Sequence, residues 1–141
     1  MLITRETDYA LRILRALLSG ESHTVGELAE RESLPQKFAY KILKKLEKAG
    51  FVQITRGASG GCRLDCDLNA MTLYDLIEAV ETNARLTSCM EPGYECEWRG
   101  KYGAPCRIHI QLAKVQHAID QEFRSRSLYW ILQGDEENGE V

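Results

Sequence analysis

The sequence predicts a mainly α-helical fold carrying one small β-hairpin. Three observations lead there. Apolar residues recur at helical spacing in five separate stretches. Two of the helices are short and are joined by the four-residue turn Arg31-Glu32-Ser33-Leu34, a helix-turn-helix arrangement. Directly after them, two short runs flank the turn Arg56-Gly57-Ala58-Ser59-Gly60-Gly61. A hairpin there makes a wing, so the expected architecture is a winged helix-turn-helix followed by a long helix.

Thr4 to Leu18 reads as the first helix, with Ala10, Ile13, Leu14, Leu17 and Leu18 on one face. Thr4 caps its start and Gly20 ends it. Thr24-Val25-Gly26-Glu27 is a capping box opening a second helix that turns Val25, Leu28 and Ala29 inward. Pro35 starts the next helix at its first position, where the missing N–H costs nothing. That helix runs to about Ala49, with Phe38, Ile42, Leu43 and Leu46 on one stripe, and Gly50 ends it. Its other face carries Gln36, Lys37, Tyr40, Lys41, Lys44, Lys45 and Lys48. On an isolated helix such a face is ordinary solvated surface; behind a helix-turn-helix it becomes a candidate DNA-reading surface.

Phe51-Val52-Gln53-Ile54 and Cys62-Arg63-Leu64 form the hairpin. Its wing can place Arg56 in a minor groove, where the potential is most negative. A nucleotide-binding glycine loop is excluded, because no helix N-terminus follows the turn to hold a phosphate. Thr72 caps a helix to about Glu81 with Leu73, Leu76, Ile77 and Val80 apolar. From about Pro105 to Ser125 a long helix repeats Ile108, Leu112, Val115, Ile119 and Phe123, a coiled-coil-like seam that suits a homodimer.

Composition sets the bounds. The 141 residues are 44% hydrophobic and 28% charged, enough for one domain with a core. Net charge is −3, but it is unevenly spread: residues 1–65 hold 11 Lys and Arg against 8 Asp and Glu, residues 66–141 hold 7 against 13. That asymmetry suits a nucleic-acid-binding front half. No run of 18 apolar residues could span a membrane, and the first residues lack a signal-peptide layout. A cytoplasmic location is expected, where thiols stay reduced and five cysteines are ligands or free thiols more readily than disulfides. The acidic tail near Asp135 to Glu140 is expected to be solvated and disordered.

Between Cys89 and Cys106 lies the chemistry-bearing stretch. Six residues separate Cys89 from Cys96 and nine separate Cys96 from Cys106, with Pro and Gly between, so most of it reads as loop. Cys106 and His109 stand three apart, on one face of a helix. Thiolates with imidazole suit zinc or an iron–sulfur cluster. The spacing matches no zinc-finger pair, and buried cysteines or a disulfide remain open on spacing alone. An enzyme is disfavoured: there is no glycine-flanked nucleophile, and His23, His109 and His117 have no obvious base geometry.

Three segments carry a resemblance: Thr7-Asp8-Tyr9-Ala10-Leu11-Arg12, Arg56-Gly57-Ala58-Ser59-Gly60-Gly61, and Met71-Thr72-Leu73-Tyr74-Asp75-Leu76-Ile77-Glu78-Ala79-Val80-Glu81. With the cysteine loop and long last helix, the chain resembles the Rrf-type family of bacterial winged-helix regulators over nearly its whole length. The resemblance implies a homodimer on a palindromic operator in double-stranded DNA, with Cys89, Cys96 and Cys106 ligating an iron–sulfur cluster. It offers two fourth ligands. His109 matches the place used by IscR-like members with a 2Fe-2S cluster, the favoured case. Asp8, from the partner subunit, matches NsrR-like members with 4Fe-4S. The loop spacings are longer than in IscR-like members, which leaves the cluster type open though not the thiolate supply. Separately, Cys62 stands where the wing usually has an aromatic. Cys62 and Cys66, separated by three residues, read as structural or incidental, with a redox role as the lesser reading. A cluster-free or zinc-binding regulator, controlled by a protein partner or thiol chemistry as in CymR-like members, is the alternative.

The expected division is a winged helix-turn-helix over 1–66, a connecting helix over 67–84, a cluster-binding loop over 85–107, a dimerisation helix and short C-terminal helix over 105–132, and the tail over 133–141. Lys37, Tyr40 and Lys41 are the expected base or phosphate contacts, with Gln36 adjacent. Lys44 and Arg56 would meet phosphates or the minor groove, and Ser59 of the wing completes the set.

Overall fold

A computed structural model describes residues 3–134, so the acidic stretch from Asp135 lies outside the described residues. Helix α1 (Arg5–Ala16) is capped by Thr4, whose hydroxyl oxygen accepts the Glu6 N–H at 3.1 Å. Ala10, Ile13, Leu14 and Leu17 are fully buried on its inner face. Helix α2 (Val25–Arg31) opens on the expected reciprocal cap: Glu27 N–H to Thr24 Oγ1 at 3.2 Å, and Thr24 N–H to Glu27 Oε2 at 2.8 Å.

Helix α3 (Gln36–Lys48) begins one residue after Pro35, which serves as its cap rather than its first residue. Its inner stripe is Ala39, Ile42, Leu43 and Leu46, spaced i, i+3, i+4 and i+7. Phe38 is therefore not a core residue: one residue back along the helix, it is 48% exposed and meets the Tyr9 ring edge-on at 6.1 Å. The wing pairs β1 (Val52–Thr55) with β2 (Gly61–Leu64) antiparallel, Ile54 opposite Cys62. Phe51, Val52 and Cys62 turn into the core. His23 clamps the hairpin at its root, exchanging backbone hydrogen bonds with Cys62 at 2.9 and 2.7 Å. The paired glycines have a steric cause. A Cβ on Gly60 would stand 2.2 Å from the Thr55 carbonyl oxygen, and one on Gly61 would stand 2.4 Å from Ser22 Oγ.

Helix α4 (Leu73–Val80) has its own capping box from Thr72 and Asp75, and buries Leu76, Ile77 and Val80. The stretch beyond it is not all loop. It holds a 3-10 turn at Ser88–Met90 and a helix, α5 (Glu97–Tyr102), that stops at Gly103 with φ 63°. Helix α6 (Arg107–Arg124) follows, and buries only Gln116. Helix α7 (Leu128–Gln133) folds back: Leu128 N–H meets the Met71 carbonyl at 2.7 Å, and the Leu128 side chain joins the core. The core thus lies among α1 to α4 and the wing, with α6 at its margin. Among the described residues no helix is long and apolar enough to cross a membrane.

Candidate DNA interface and thiol site

The outer face of α3 and the wing tip are both polar and cationic. Gln36, Lys37, Tyr40 and Lys41 are exposed on α3, as are Arg56 and Ser59 on the wing. Their charges are not equivalent. Among the described residues Lys37, Lys48 and Arg56 make no ion pair, whereas Lys41 pairs with Glu6 and Lys44 with Glu47 at 3.2 Å. The Lys44 ammonium also lies 5.9 Å from the Tyr40 ring centroid. Lys45 does not belong to the outer face. It turns inward to Glu6 and to the Val80 carbonyl, the latter at 2.6 Å. Burial pushes the Glu6 carboxyl up, but the hydrogen bonds and charges of Lys41 and Lys45 outweigh it and hold the group below its usual range.

Sequence reasoning also missed Glu81. Its carboxylate accepts the Thr4 N–H and hydroxyl, both at 2.9 Å, and the Thr7 hydroxyl. Nothing local could have shown this, since the partners lie more than 70 residues apart.

The thiols divide into two classes. Cys62 is core, and burial with the nearby Glu47 charge pushes its thiol up to about 12. Burial and then the Asp65 and Asp67 charges also raise Cys66. Neither offers a thiolate at neutral pH. Cys89, Cys96 and Cys106 are half-buried, in the 3-10 turn and directly before α5 and α6. Cys89 Sγ stands 2.8 Å from Thr87 Oγ1 and 3.4 Å from His109 Nδ1. The fold therefore brings Cys89 and His109 together. Among the described residues it does not gather three or more Cys, His, Asp or Glu side chains into a ligand set, so Cys96 and Cys106 stand outside that pair. Asp8 is half-exposed and paired with Arg12 at 3.1 Å, in a hollow it shares with Leu11, Arg15, Ile131 and Leu132. The donor set fits soft metal chemistry in kind and number: three half-buried thiols and one imidazole, with Cys89 and His109 adjacent.

A polar network roots this loop. Gln116 Oε1 accepts the Leu86 N–H at 2.8 Å and Gln116 Nε2 donates to Asp120 at 2.8 Å. Arg85 bridges Glu78 at 3.1 Å and Asp120 at 3.9 Å. The Arg124 guanidinium lies 3.6 Å from the Tyr74 ring centroid. So α6 docks on the rest of the chain in part through polar groups. The expected seam is left largely open: Ile108 is 72% and Val115 48% exposed, with Leu112, Ile119 and Phe123 half-buried.

Comparison with known proteins places this architecture. The family model "Rrf2: Iron-dependent Transcriptional regulator" matches residues 3–134, and the chain belongs to that family of transcriptional regulators, which are not enzymes. It is 34% identical to Protein aau3 of Rhizobium meliloti over 66% of this chain and 62% of that protein. It is 29% identical to the HTH-type transcriptional regulator NsrR of Bacillus subtilis, over 64% of each. The chain thus spans just under two thirds of the length of these relatives. In fold it is similar to T. potens IscR, with a TM-score of 0.71 at 19% identity over 100% of this chain and 93% of that one. It is also similar to the oxidized form of Staphylococcus aureus CymR, with a TM-score of 0.70 at 19% identity over 96% and 98% of the two chains. The winged-helix fold is therefore shared.

Proposed function

We propose that this protein is a cytoplasmic, homodimeric transcriptional regulator that reads a palindromic operator and tunes its grip by an iron–sulfur cluster. Cys89, Cys96 and Cys106 would hold the cluster, with His109 as fourth ligand. The observation that carries the proposal is the Cys89–His109 approach of 3.4 Å at the root of a loop bearing two further accessible thiols. It favours His109 over Asp8, which already pairs with Arg12. His109 favours a 2Fe-2S cluster; Asp8 from the partner with 4Fe-4S is the competing assignment. When bound, such a cluster supplies a centre sensitive to electrons, oxygen, nitric oxide and iron supply.

The chain's own residues do the rest. Lys37 and Arg56 neutralise phosphates, while Gln36, Tyr40 and Lys41 reach base edges or backbone, and Lys44 and Ser59 flank them. Two copies joined along α6 would set two α3 helices on successive major grooves, about 34 Å apart. The open apolar face of α6 supports that pairing. Drawing Cys96 and Cys106 onto the Cys89–His109 pair would tighten the loop between α4 and α6, and the Arg85–Gln116–Asp120 network would carry the strain. A second reading is kept by one observation: no three donors converge among the described residues. In that case the same DNA binder works without a cluster, or with zinc, through thiol chemistry or a protein partner.

Anaerobic reconstitution with ferrous iron and sulfide separates these readings. Wild type is expected to develop visible charge-transfer absorbance, Cys89→Ser to lose it, and His109→Ala to lose or shift it while Asp8→Ala keeps it. A colourless wild type with stoichiometric zinc would overturn the cluster. A shifted spectrum in Asp8→Ala alone would move the fourth ligand to Asp8.

A further inference from the structure

The geometry points to Lys45 and Glu81 as positioning residues that couple the cysteine loop to the DNA-reading helix. The inference rests on the reading that the state of this loop governs DNA binding. Val80 is the last residue of α4 and Glu81 its cap, after which the chain leaves for the loop. The carbonyls at a helix end lack intrahelical partners, and a cation there is favoured by the helix dipole. Lys45 meets both needs, donating from α3 to the Val80 carbonyl at 2.6 Å. The same ammonium pairs with Glu6 in the first turn of α1.

Glu81 does the reverse at the other helix. Its carboxylate sits at the N-terminus of α1, where a negative charge is favoured. There it takes the Thr4 N–H, the Thr4 hydroxyl and the hydroxyl of Thr7, a fully buried residue. So the end of α4 is capped by α3 and itself caps α1. Among the described residues no other side-chain hydrogen bond or ion pair joins α4 to α1 or to α3. The remaining contacts are apolar packing, which is non-directional. Hydrogen bonds weaken steeply once bent or lengthened, so this knot fixes the direction in which α4 bears on α1 and α3. The far side of the loop's root is held on α6 by Leu86 and Arg85. A loop that tightens between these two anchors pulls on Val80 and Glu81, and through Lys45 on the seat of α3.

The test compares DNA affinity in two loop states, using a duplex selected by wild type from a randomised library and fluorescence anisotropy as readout. In one state the loop thiols are free; in the other they are cluster-loaded or, for protein that takes no cluster, alkylated with iodoacetamide. The wild-type ratio of dissociation constants is expected in the range of roughly 5–150 typical of coupled sites. Glu81→Gln and Lys45→Met should bring it close to one, and Lys45→Arg should restore it, with circular dichroism and cluster absorbance unchanged. A folded variant that keeps the wild-type ratio overturns the inference and leaves the proposed function standing. A wild-type ratio of one overturns both. Should either variant fail to fold, Thr7→Val removes one Glu81 contact at nearly constant volume, and a full wild-type ratio there counts against the inference.

Discussion

Replacing Lys37 and Arg56 with alanine should flatten the salt dependence of DNA binding, and Lys41→Ala should do so much less. The difference follows from pairing. Lys37 and Arg56 make no ion pair among the described residues, while Lys41 already faces the Glu6 carboxylate. The proposed dimer would present each cation twice, so each substitution would remove two of the proposed phosphate contacts. At about 0.9 counterions released per contact, the slope of log affinity against log salt falls by about 1.8 per substitution and about 3.6 for the double variant. Between about 50 and about 200 mM salt, the double variant should therefore lose roughly 150-fold less affinity than wild type, and each single variant roughly 12-fold less. Lys41→Ala also strips a partner from Glu6, so its cost should appear in stability as well as in binding. Anisotropy titrations at four salt concentrations measure the slopes. Equal slopes for Lys37→Ala and Lys41→Ala would refute the reasoning, as would a double variant with the wild-type slope.

Three further outcomes are expected. Val115→Glu puts a charge in the open apolar face of α6. With each buried aliphatic side chain worth about 1.5–3 kcal/mol and counted twice in a dimer, it should raise the dimer dissociation constant by about two to four decades. Sedimentation velocity measures this, and an unchanged dimer would place the interface elsewhere. Cys62, with its thiol pushed up to about 12, should be about one part in ten thousand thiolate at pH 8. It should resist an aromatic disulfide reagent until guanidinium is added, and peptide mapping of the labelled chain reads this directly. Glu6 has a lowered carboxyl pKa, so its contribution to stability is present above its ordinary value of 4.5 and is lost as pH falls through the lower folded value. Glu6→Gln should thus be less stable than wild type at pH 7, with the gap narrowing below pH 4.5 in chemical denaturation.

The elements were legible where the signals are local. The Thr24–Glu27 and Thr72–Asp75 caps, the spacing along α1, and the Gly60–Gly61 turn each report on structure within a few residues. The pattern along α3 gives its stripe almost in phase but selects Phe38 over Ala39, because side-chain size dominates a hydrophobicity pattern and an alanine stands out little. Helix α5 was hidden by the glycines and prolines around it, although Glu97 to Tyr102 itself contains only one glycine. The inward turn of Lys45 was not legible at all. A lysine on a polar face looks solvated until the fold brings Glu6 and the Val80 carbonyl to it from 39 and 35 residues away. The same holds for Cys89 and His109, which sit 20 residues apart. Sequence spacing had pointed to His109 only through its neighbour Cys106.

The contrast between the two candidate sites bears on how a regulator of this design could work. The candidate DNA-facing surface has a fixed seat: α3 is held by four buried apolar residues and the wing is clamped at its root by His23. In the proposed thiol site Cys89 stands beside His109, and among the described residues no third donor joins them. A ligand shifts a conformational equilibrium only by as much as it binds one state better than the other. A site fully formed in every state would bind its cofactor and change nothing. A site whose last two donors must be drawn in is formed in one state alone, so binding energy is available to move what the loop is tied to. The loop is tied at Glu81 to α1 and through Val80 to Lys45 on α3. On the proposed function, drawing Cys96 and Cys106 onto the Cys89–His109 pair is the step that would move the loop, and loading the cluster should change the protection of the α4 C-terminus in hydrogen exchange. Identical exchange at Val80 and Glu81 with and without cluster would remove this link between the two sites.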